Sequence, residues 1–351
     1  MPGVNCNLMR YSNTLNERNI LKMIDRFRLR SRYQKRSANA NMKAKTSTST
    51  PPPCYESDDE SNLRLWNNSA PGAVGNDSCK DIPFLKVFLP NTSSPQTDIG
   101  IIIIPGGGYD KLTDSNEQTP VAQYFANKLG TAKVDFDFIL KGITSFILYY
   151  RLVQKDGTYR YPVPMWDGQR ALRYVRYNAA QFKINPDHIG LFGFSAGGHL
   201  ASTVALHSNQ NFNLTNQDDL DSTNARPSFL GLGYPVISMD PQQYASNASR
   251  KHLLFGYTGD ELTSLENYLS GQKHVTKNTP PTFIFESVDD KQISSQNSVL
   301  FIKALEDAGV SYEAHMFEQG KHGAGLAEDE QAESLWPTLF HNWLIERKLI
   351  S

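Results

Sequence analysis

The chain has 351 residues, of which 39% are hydrophobic, 11% aromatic and 20% charged, as is ordinary for a globular protein with one large core. No apolar run approaches the roughly 18 residues that span a bilayer, which argues against a transmembrane segment. The net charge of −1 hides an asymmetry, because residues 1–50 carry 11 Lys or Arg against two acids and leave the other 301 residues at about −10. This negative charge on residues 51–351 argues against a nucleic acid as a partner.

Residues 1–60 are predicted to form a basic, disordered leader, because the Ser/Thr/Pro-rich stretch SANANMKAKTSTSTPPP buries too little apolar area to offset its ordering entropy. The alternative is an organelle transit peptide, since the segment is rich in Arg and Ser and poor in acids. No signal-peptide run is evident, which favours the cytoplasm, with mitochondrial import as the alternative. Cys6, Cys54 and Cys79 fit no zinc or multi-bridge pattern and do not decide the redox compartment.

From residue 61 to residue 351 the sequence predicts one α/β domain. Strands are predicted at 84–89, 99–104, 144–150, 189–194, 229–235, 282–287 and 312–317. Helices are predicted near 118–129, 164–182, 196–207, 294–308 and 332–347. Near-continuous apolar strands predict burial on both faces, and hence a mostly parallel central sheet flanked by helices on both faces. Arg170, Arg173 and Arg176 are expected to face solvent from the second of these helices.

One segment fits this alternation badly. TAKVDFDFILKG, residues 131–142, lies between a helix and a strand, where a short connection is expected. It is either an extra loop or an artefact of the gene model, such as retained non-coding sequence. The sequence does not separate these alternatives.

Acidic clusters at 57–61 and 218–221 are predicted to be solvated loops, because neither has His or Cys at the spacing of metal ligands. No metal site is therefore expected. Several Asn-x-Ser/Thr sequons occur, and they matter only if the chain enters a secretory route. They begin at Asn67, Asn76, Asn91, Asn213 and Asn247.

The stretch IGLFGFSAGGHLAS, residues 189–202, changes from an apolar strand to a helix at a serine held between glycines. GFSAG at 193–197 matches the G-x-S-x-G nucleophile elbow, with the strand before it and the helix after it that the motif requires. The flanking glycines let the backbone take a strained turn that exposes the serine oxygen at a helix N-terminus. Ser195 is therefore predicted to be a nucleophile, with a structural serine in a tight turn as the alternative.

A serine nucleophile needs a base, and the base needs an orienting acid. In α/β-hydrolases the acid and then the histidine follow the serine along the chain. His322 is the predicted base, because it lies on a glycine-rich loop just after a strand, whereas the rival His199 is interpreted as a structural residue behind the elbow. Asp290 is the predicted acid, since it begins a D-x-x-Ile pattern, and Asp289 is the alternative.

The segment IIIIPGGGY ends a buried strand in three glycines, whose amides can approach a substrate because no side chain projects from them. The amides of Gly106, Gly107 and Gly108, with that of Ala196, are predicted to form an oxyanion hole. A flexible turn is the alternative. A phosphate-binding loop is disfavoured because no G-x-x-x-x-G-K-[ST] follows.

Seven ordered blocks of sequence resemble the α/β-hydrolases related to acetylxylan esterases and bifunctional feruloyl/acetyl-xylan esterases. The resemblance covers roughly residues 63–346 and rests on LWNNSAPGAVG, IIIIPGGGYDKL, YYRL, YPVPMWDGQRALRYVRYNA, INPDHIGLFGFSAGGHLAS, NTPPTFIFESVDD and GKHGAGL. It implies Ser195 as nucleophile, Asp290 as acid and His322 as base, with oxyanion donors at Gly107, Gly108 and Ala196. The related lipases write His-Gly-Gly-Gly where this chain has Pro-Gly-Gly-Gly, and neither the leader nor the 131–142 insert belongs to the family pattern.

These observations predict a serine carboxylic-ester hydrolase that needs no cofactor and removes acetyl or other short acyl groups, perhaps from a carbohydrate. The acyl and alcohol pockets are expected in loops 208–228 and 240–278, with contributions from Tyr109, Tyr244, Phe255 and Tyr257. A peptidase-like serine hydrolase and a catalytically inactive binding protein of the same fold are the alternatives.

Overall fold

The computed structural model describes residues 53–91, 96–113, 116–127, 142–215 and 217–350. The strands in these ranges are β1 (Asn62–Arg64), β2 (Phe84–Phe88), β3 (Gln96–Ile104), β4 (Gly142–Tyr149), β5 (Ile189–Phe194), β6 (Leu230–Gly233), β7 (Thr282–Ser287) and β8 (Tyr312–Phe317). The α-helices are α1 (Thr119–Asn127), α2 (Val163–Tyr177), α3 (Ser195–Leu206), α4 (Asn247–Leu253), α5 (Gly259–Tyr268), α6 (Gln296–Asp307) and α7 (Trp336–Glu346). None of the helices in these ranges is long and apolar enough to cross a membrane.

The strands form one sheet in the order β1-β2-β4-β3-β5-β6-β7-β8. The pairs β1/β2 and β2/β4 are antiparallel, and the other five pairs are parallel. The chain leaves β3 in one direction across the sheet, to β4, and then returns past it to β5. This reversal between β3 and β5 is a topological switch point, where the loops at the carboxyl ends of the strands diverge and leave a crevice.

The core lies on both faces of the sheet, as the apolar strands predict. Along β3, Ile101 and Ile103 pack into one hydrophobic cluster, while Ile102 and Ile104 pack into the other. Residues of α2, α3 and α6 cover the face of Ile102 and Ile104. Residues of α1 and α7 cover the face of Ile101 and Ile103. The predicted α/β-hydrolase fold, a mostly parallel sheet between two helical layers, is therefore confirmed.

Helix α2 is buried on more sides than its sequence indicates, so the expectation that its arginines face solvent is wrong. Arg170 and Arg173 are only 4% and 7% exposed, and Arg176 is half-buried. Arg170 donates to both carboxylate oxygens of Asp218, at 2.5 and 2.7 Å. Asp221 lies 3.3 Å from both Arg170 and Arg173. The acidic cluster at 218–221 was predicted to be a solvated loop, but Asp221 is buried and forms ion pairs with Arg170 and Arg173.

A second buried ion pair fixes the start of the same helix to the end of β4. The guanidinium of Arg151 donates to Asp167 at 2.7 Å, and both side chains are almost fully buried. Arg151 also donates to the carbonyl of Pro71 at 2.7 Å, and its guanidinium lies over the ring of Trp66. Through these contacts with Pro71 and Trp66, Arg151 ties the segment between β1 and β2 to the sheet.

A disulfide between Cys54 and Cys79 links the first described residues to the segment before β2. Close by, Lys86 of β2 donates to the carboxylate of Asp59 at 3.0 Å. The last residues of the predicted leader therefore contact the sheet domain.

Two of the sequence predictions concern segments that lie largely outside the described residues. They are the leader, of which only residues 53–60 are described, and the insert at 131–142, of which only Gly142 is described, as the first residue of β4. The disordered-tail and transit-peptide interpretations of the leader stay predictions. So do the extra-loop and gene-model interpretations of the insert.

The segment 240–278 contains helices α4 and α5, although the sequence was interpreted there as loops. The hydroxyl of Ser246 caps α4 by accepting from the amide of Ser249. Helix α5 carries Asp260 and Glu261 in its first turn, where the helix dipole favours negative charge. Both helix-start signals are present in the sequence.

Candidate active site

Four loops meet where the parallel strands end. The glycine loop follows β3, Ser195 follows β5, Asp290 follows β7 and His322 follows β8. In open α/β sheets, ligands bind outside the carboxyl ends of the strands, at the switch point. The topology therefore brings residues that are far apart in sequence to one edge of the sheet.

Ser195 sits on a sharp turn between β5 and α3. Its φ is 51°, in the left-handed region that strains any residue with a side chain. Close backbone approaches explain the flanking glycines: a Cβ at Gly193 would lie 2.3 Å from the carbonyl oxygen of Gly197, and one at Gly197 would lie 2.1 Å from that of Ile104. The sequence thus permits the strained turn that a nucleophile elbow requires.

The structure places Ser195, His322 and Asp290 in one hydrogen-bonded series. The Nε2 atom of His322 lies 2.8 Å from the Oγ atom of Ser195, and its Nδ1 atom lies 2.6 Å from an oxygen of Asp290. Because the carboxylate can only accept, the Nδ1 atom carries the proton and the Nε2 atom is free to accept from the serine hydroxyl. Both the base and the acid have the geometry that proton transfer from Ser195 requires.

The two adjacent aspartates have different contacts. Burial would raise the pKa of the Asp290 carboxyl, but the hydrogen bond and charge of His322 and two backbone amides outweigh it and hold that pKa below its ordinary value. Those amides belong to Gln292 and Ile293, at 2.7 and 3.0 Å. Asp289 instead accepts from the amide of Gly320 at 2.9 Å, at the start of the loop that carries the histidine.

The glycine loop lies directly beside Ser195. A Cβ at Gly106 would lie 2.7 Å from the Cβ atom of the serine. Gly107 and Gly108 have φ values of 119° and 65°, which glycine adopts without strain. In the described part of the chain neither of their amides donates to a protein acceptor. Ala196 lies in the first turn of α3, where amides have no acceptor within the helix.

His199 is fully buried, and its ring nitrogens bond to residues other than Ser195. Its Nε2 atom donates to the carbonyl oxygen of Leu269 at 2.8 Å, and its Nδ1 atom accepts from the hydroxyl of Tyr109 at 2.7 Å. Burial lowers the pKa of His199 to about 4, so the ring is neutral at physiological pH. These contacts fit the structural interpretation of this histidine.

The structure shows that Tyr109 is not a pocket residue, contrary to the prediction, and that His252 lies beside the glycine loop. Tyr109 is completely buried by its contact with His199 and by packing against Tyr150, so it cannot line a substrate pocket. Tyr244 and Phe255 are 53% and 38% exposed. From α4, His252 donates through its Nδ1 atom to the carbonyl oxygen of Gly108 at 2.9 Å. Helix α4 therefore borders the glycine loop.

Two further side chains contact the site but were not singled out from the sequence. Glu117, just before α1, accepts from the amide of Gly106 at 2.7 Å. Tyr234, just after β6, donates to Glu117 at 3.0 Å, and its ring packs edge-on against that of His322, with centroids 5.0 Å apart. The position of Tyr234 at the carboxyl end of a strand could have indicated a site residue. The position of Glu117 could not, because an acid at a helix start is usually solvated.

Comparison with known proteins identifies the family and several relatives of this chain. The BD-FAE family model matches residues 85–305. An acetylxylan esterase from Xylanibacter ruminicola is 31% identical over 244 residues, which are 68% of this chain and 43% of that protein. Endo-1,4-beta-xylanase B of Butyrivibrio fibrisolvens is 31% identical over 252 residues, which are 71% of this chain and 36% of that protein. The chain thus spans less than half the length of these two relatives.

A solved structure is similar over its whole length. The acetyl ester-xyloside bifunctional hydrolase from Caldicellulosiruptor lactoaceticus is 32% identical and superposes with a TM-score of 0.70. The match covers 86% of this chain and 100% of that chain.

Proposed function

The chain belongs to the BD-FAE family of α/β-hydrolases, and from this premise we propose that it is a serine carboxylic-ester hydrolase acting on acetyl and other short acyl esters of carbohydrates. The observation that carries the proposal is the hydrogen-bonded series from Ser195 through His322 to Asp290. Its position beside a glycine loop at the switch point supports the same function.

In the proposed first half-reaction, the Oγ atom of Ser195 attacks the ester carbonyl while the Nε2 atom of His322 takes the hydroxyl proton. The carbonyl oxygen becomes an oxyanion, held by the amides of Gly107, Gly108 and Ala196. Asp290 keeps the imidazole in the required tautomer and stabilises the imidazolium. The bond between the acyl carbon and the alcohol oxygen then breaks, and the alcohol leaves with the proton from the imidazolium.

The second half-reaction releases the acid from the acyl-enzyme. A water molecule gives a proton to His322 and attacks the acyl carbon, which again passes through an oxyanion held by the same amides. When the bond to Ser195 breaks, the proton returns from the imidazolium to the serine oxygen. The enzyme is regenerated without any group beyond those of the chain and water.

The substrate class rests on the named activities of the relatives. Two of them are described as an acetylxylan esterase and an acetyl ester-xyloside bifunctional hydrolase. An acetyl group is a small acyl group, and a xylose unit is the corresponding alcohol. Beside the glycine loop, the exposed Asp110 and the half-buried His252 of α4 supply hydrogen-bonding partners that the hydroxyl groups of a sugar require.

The test compares purified wild type with Ser195→Ala on p-nitrophenyl acetate, butyrate and octanoate and on an acetylated xylo-oligosaccharide. Ser202→Ala is the matched control, because this serine lies in the same helix and its hydroxyl, within the described residues, donates only to the carbonyl oxygen of His199, at 3.0 Å. We expect Ser195→Ala to lose activity by about 10⁴-fold or more, and Ser202→Ala to stay within about threefold of wild type. The rate should fall as the acyl chain lengthens.

Two results would contradict the proposal. If folded wild type matches Ser195→Ala at the background rate on every ester, the inactive binding-protein alternative gains support. If the wild type cleaves a peptide substrate much faster than any ester, the peptidase-like alternative replaces the esterase.

A further inference from the structure

Glu117 is a buried acid that the proposed reaction does not use. Its side chain is completely inaccessible to solvent, and its two carboxylate oxygens accept from different parts of the site. One oxygen accepts from the amide of Gly106 at 2.7 Å, and the other accepts from the hydroxyl of Tyr234 at 3.0 Å. A buried carboxylate is costly unless its oxygens are paired, and both contacts lower that cost.

Tyr234 extends this network to the loop that carries the histidine. Its hydroxyl accepts from the amide of Gly325 at 2.9 Å, so its own proton is directed toward Glu117. Its ring packs against the ring of His322 at a centroid distance of 5.0 Å. Glu117 and Tyr234 together therefore join the glycine loop after β3 to the histidine loop after β8, which are more than 200 residues apart.

The charge of Glu117 also lies within reach of the histidine. Burial raises the pKa of the Glu117 carboxyl above its ordinary value. The hydrogen bonds from the Gly106 amide, the Tyr234 hydroxyl and the Thr113 side chain, with the charge of His322, limit that rise. Interaction between two titrating groups is reciprocal, so an imidazolium favours the carboxylate and the carboxylate favours the imidazolium.

We propose that Glu117 is a positioning residue of the active site. Its carboxylate holds the glycine loop and, through Tyr234, the loop of His322 in register, and its negative charge stabilises the imidazolium that forms when Ser195 loses its proton. This inference rests on the esterase function proposed above. It differs from the role of Asp290, because Glu117 does not touch the reacting groups and acts through Gly106 and Tyr234.

The other ionisable groups around the pair must be considered in any pH experiment. The groups that face His322 or Glu117 in the described part of the chain are Asp290, Tyr234 and Tyr150, with Glu286 and Glu333 behind Asp290. Of these ionisable groups, only Asp290 bonds directly to the imidazole. A shift seen on changing Glu117 alone therefore reports the charge of that residue, since the others remain.

The first variant is Glu117→Gln, which keeps the side-chain shape and an oxygen for the Gly106 amide but removes the charge. We expect kcat for p-nitrophenyl acetate to fall about 10- to 50-fold, with KM changed less than about threefold. The acidic limb of kcat/KM should move about half to one pH unit to lower pH, because the protonated base loses a favourable charge. Rates are expressed per active site, titrated by the burst of nitrophenol or by fluorophosphonate labelling.

The matched variant is Tyr234→Phe, which breaks the link to Glu117 and Gly325 but leaves the carboxylate and the aromatic ring in place. We expect kcat to fall roughly fivefold while the acidic limb of kcat/KM stays within about 0.2 pH unit of wild type. The pair of variants thus separates the positioning effect from the charge effect.

The proposal is overturned if Glu117→Gln keeps the wild-type kcat per active site and the wild-type acidic limb, even if its melting temperature is lower. That result would leave Glu117 with a purely structural role. This outcome is distinct from failure of the esterase proposal, in which wild type itself shows no rate above Ser195→Ala. If Glu117→Gln does not fold, Tyr234→Phe decides alone: an unchanged kcat per active site overturns the proposal.

Discussion

Two histidines close to Ser195 have opposite surroundings. His199 lies four residues along the chain from the serine and is fully buried, and its ring nitrogens bond to neutral groups, the hydroxyl of Tyr109 and the carbonyl of Leu269. His322 lies 127 residues away, has a side chain 10% exposed and bridges Ser195 to the carboxylate of Asp290. Proximity in sequence is therefore a poor guide to proton transfer. The two differ in their surroundings: burial keeps the ring of His199 neutral, whereas the carboxylate of Asp290 lies where it can stabilise a charge that forms on the ring of His322.

The largest expected effect that separates the two histidines is on activity. His322→Ala should lower kcat/KM for p-nitrophenyl acetate by about 10⁵-fold, because no other group accepts the serine proton. His199→Phe should retain activity within about tenfold per folded molecule, but lose about 2–4 kcal/mol of stability because Tyr109 and Leu269 lose a buried partner. Esterase assays with active-site titration and urea unfolding measure the two effects. The comparison breaks if His199→Phe is well folded and as inactive as His322→Ala.

The next effect concerns the acid behind His322. Asp290→Asn should lower kcat by about 10³- to 10⁴-fold, since the imidazole loses its tautomer and the stabilisation of its charged form. Asp289→Asn should cost less than about tenfold, because its contact is with the Gly320 amide rather than the ring. Steady-state kinetics of both variants, with circular dichroism to verify folding, tests this. Equal losses would show that the loop tether matters as much as the acid.

A third prediction separates the histidines by pH. In the folded protein the pKa of His199 is about 4, below its ordinary value of 6.5, because burial disfavours the charged ring. The stability that this residue contributes is therefore complete above pH 6.5 and is lost as the pH falls from 6.5 toward 4. His199→Gln should weaken the fall in unfolding free energy over that window by up to about 1.4 kcal/mol per pH unit.

Urea unfolding at several pH values from 7 to 4.5 measures that difference. His207, whose pKa burial also lowers to about 4, remains in both proteins, so the difference between them isolates His199. Parallel curves for wild type and variant would mean that His199 is not held neutral by the fold.

The smallest effect expected is that of Tyr109→Phe. It removes the hydroxyl that donates to His199 and should lower the unfolding free energy by about 1–2 kcal/mol while activity stays within about threefold. Tyr150→Phe is the matched control, because its equally buried hydroxyl donates to the carbonyl of Pro105 at 3.1 Å and not to a histidine. Only Tyr109→Phe should also alter the pH dependence of stability. If both variants alter it equally, the histidine is not the cause.

Much of the fold was predictable because the central strands are apolar on both faces. The predicted bounds of β5, β7 and β8 are those observed. An apolar inner strand is stable only when it is buried on both faces, so its sequence identifies it. In contrast, β1 is a three-residue edge strand without an apolar run. The short helices α4 and α5 are mostly polar and lie beyond the sheet, so their periodicity is weak even though their first turns carry helix-start signals.

Charge patterns were less informative than apolar ones. Arg170 and Arg173 belong to a helix that looks amphipathic, and their partners Asp218 and Asp221 lie 48 residues further along. Nothing local distinguishes a solvated arginine from one with a distant carboxylate. The role of Glu117 could not be predicted for the same reason, because its contacts with Gly106 and Tyr234 depend on the order of the strands in the sheet.

The candidate site was more accessible to sequence reasoning, because strand, turn and helix signals surround Ser195 and a glycine-rich loop surrounds His322. The structure brings these two residues and Asp290 within hydrogen-bond distance. Their catalytic roles, and those of the amides of Gly107 and Gly108, stay predictions until the variants are assayed. Asp289 and Asp290 are adjacent, and a sequence motif alone distinguishes two adjacent acids poorly.

The four loops of the site come from strands that lie far apart in the chain, and this bears on how the protein acquires activity. Contacts of such high sequence separation form late, because the entropy of closing long loops must be overcome first. Secondary structure in refolding chains should therefore appear well before ester hydrolysis does. A chain that lacks only β8 and the loop after it would hold most of its sheet yet have no base for its serine, so activity can serve as a reporter of complete folding.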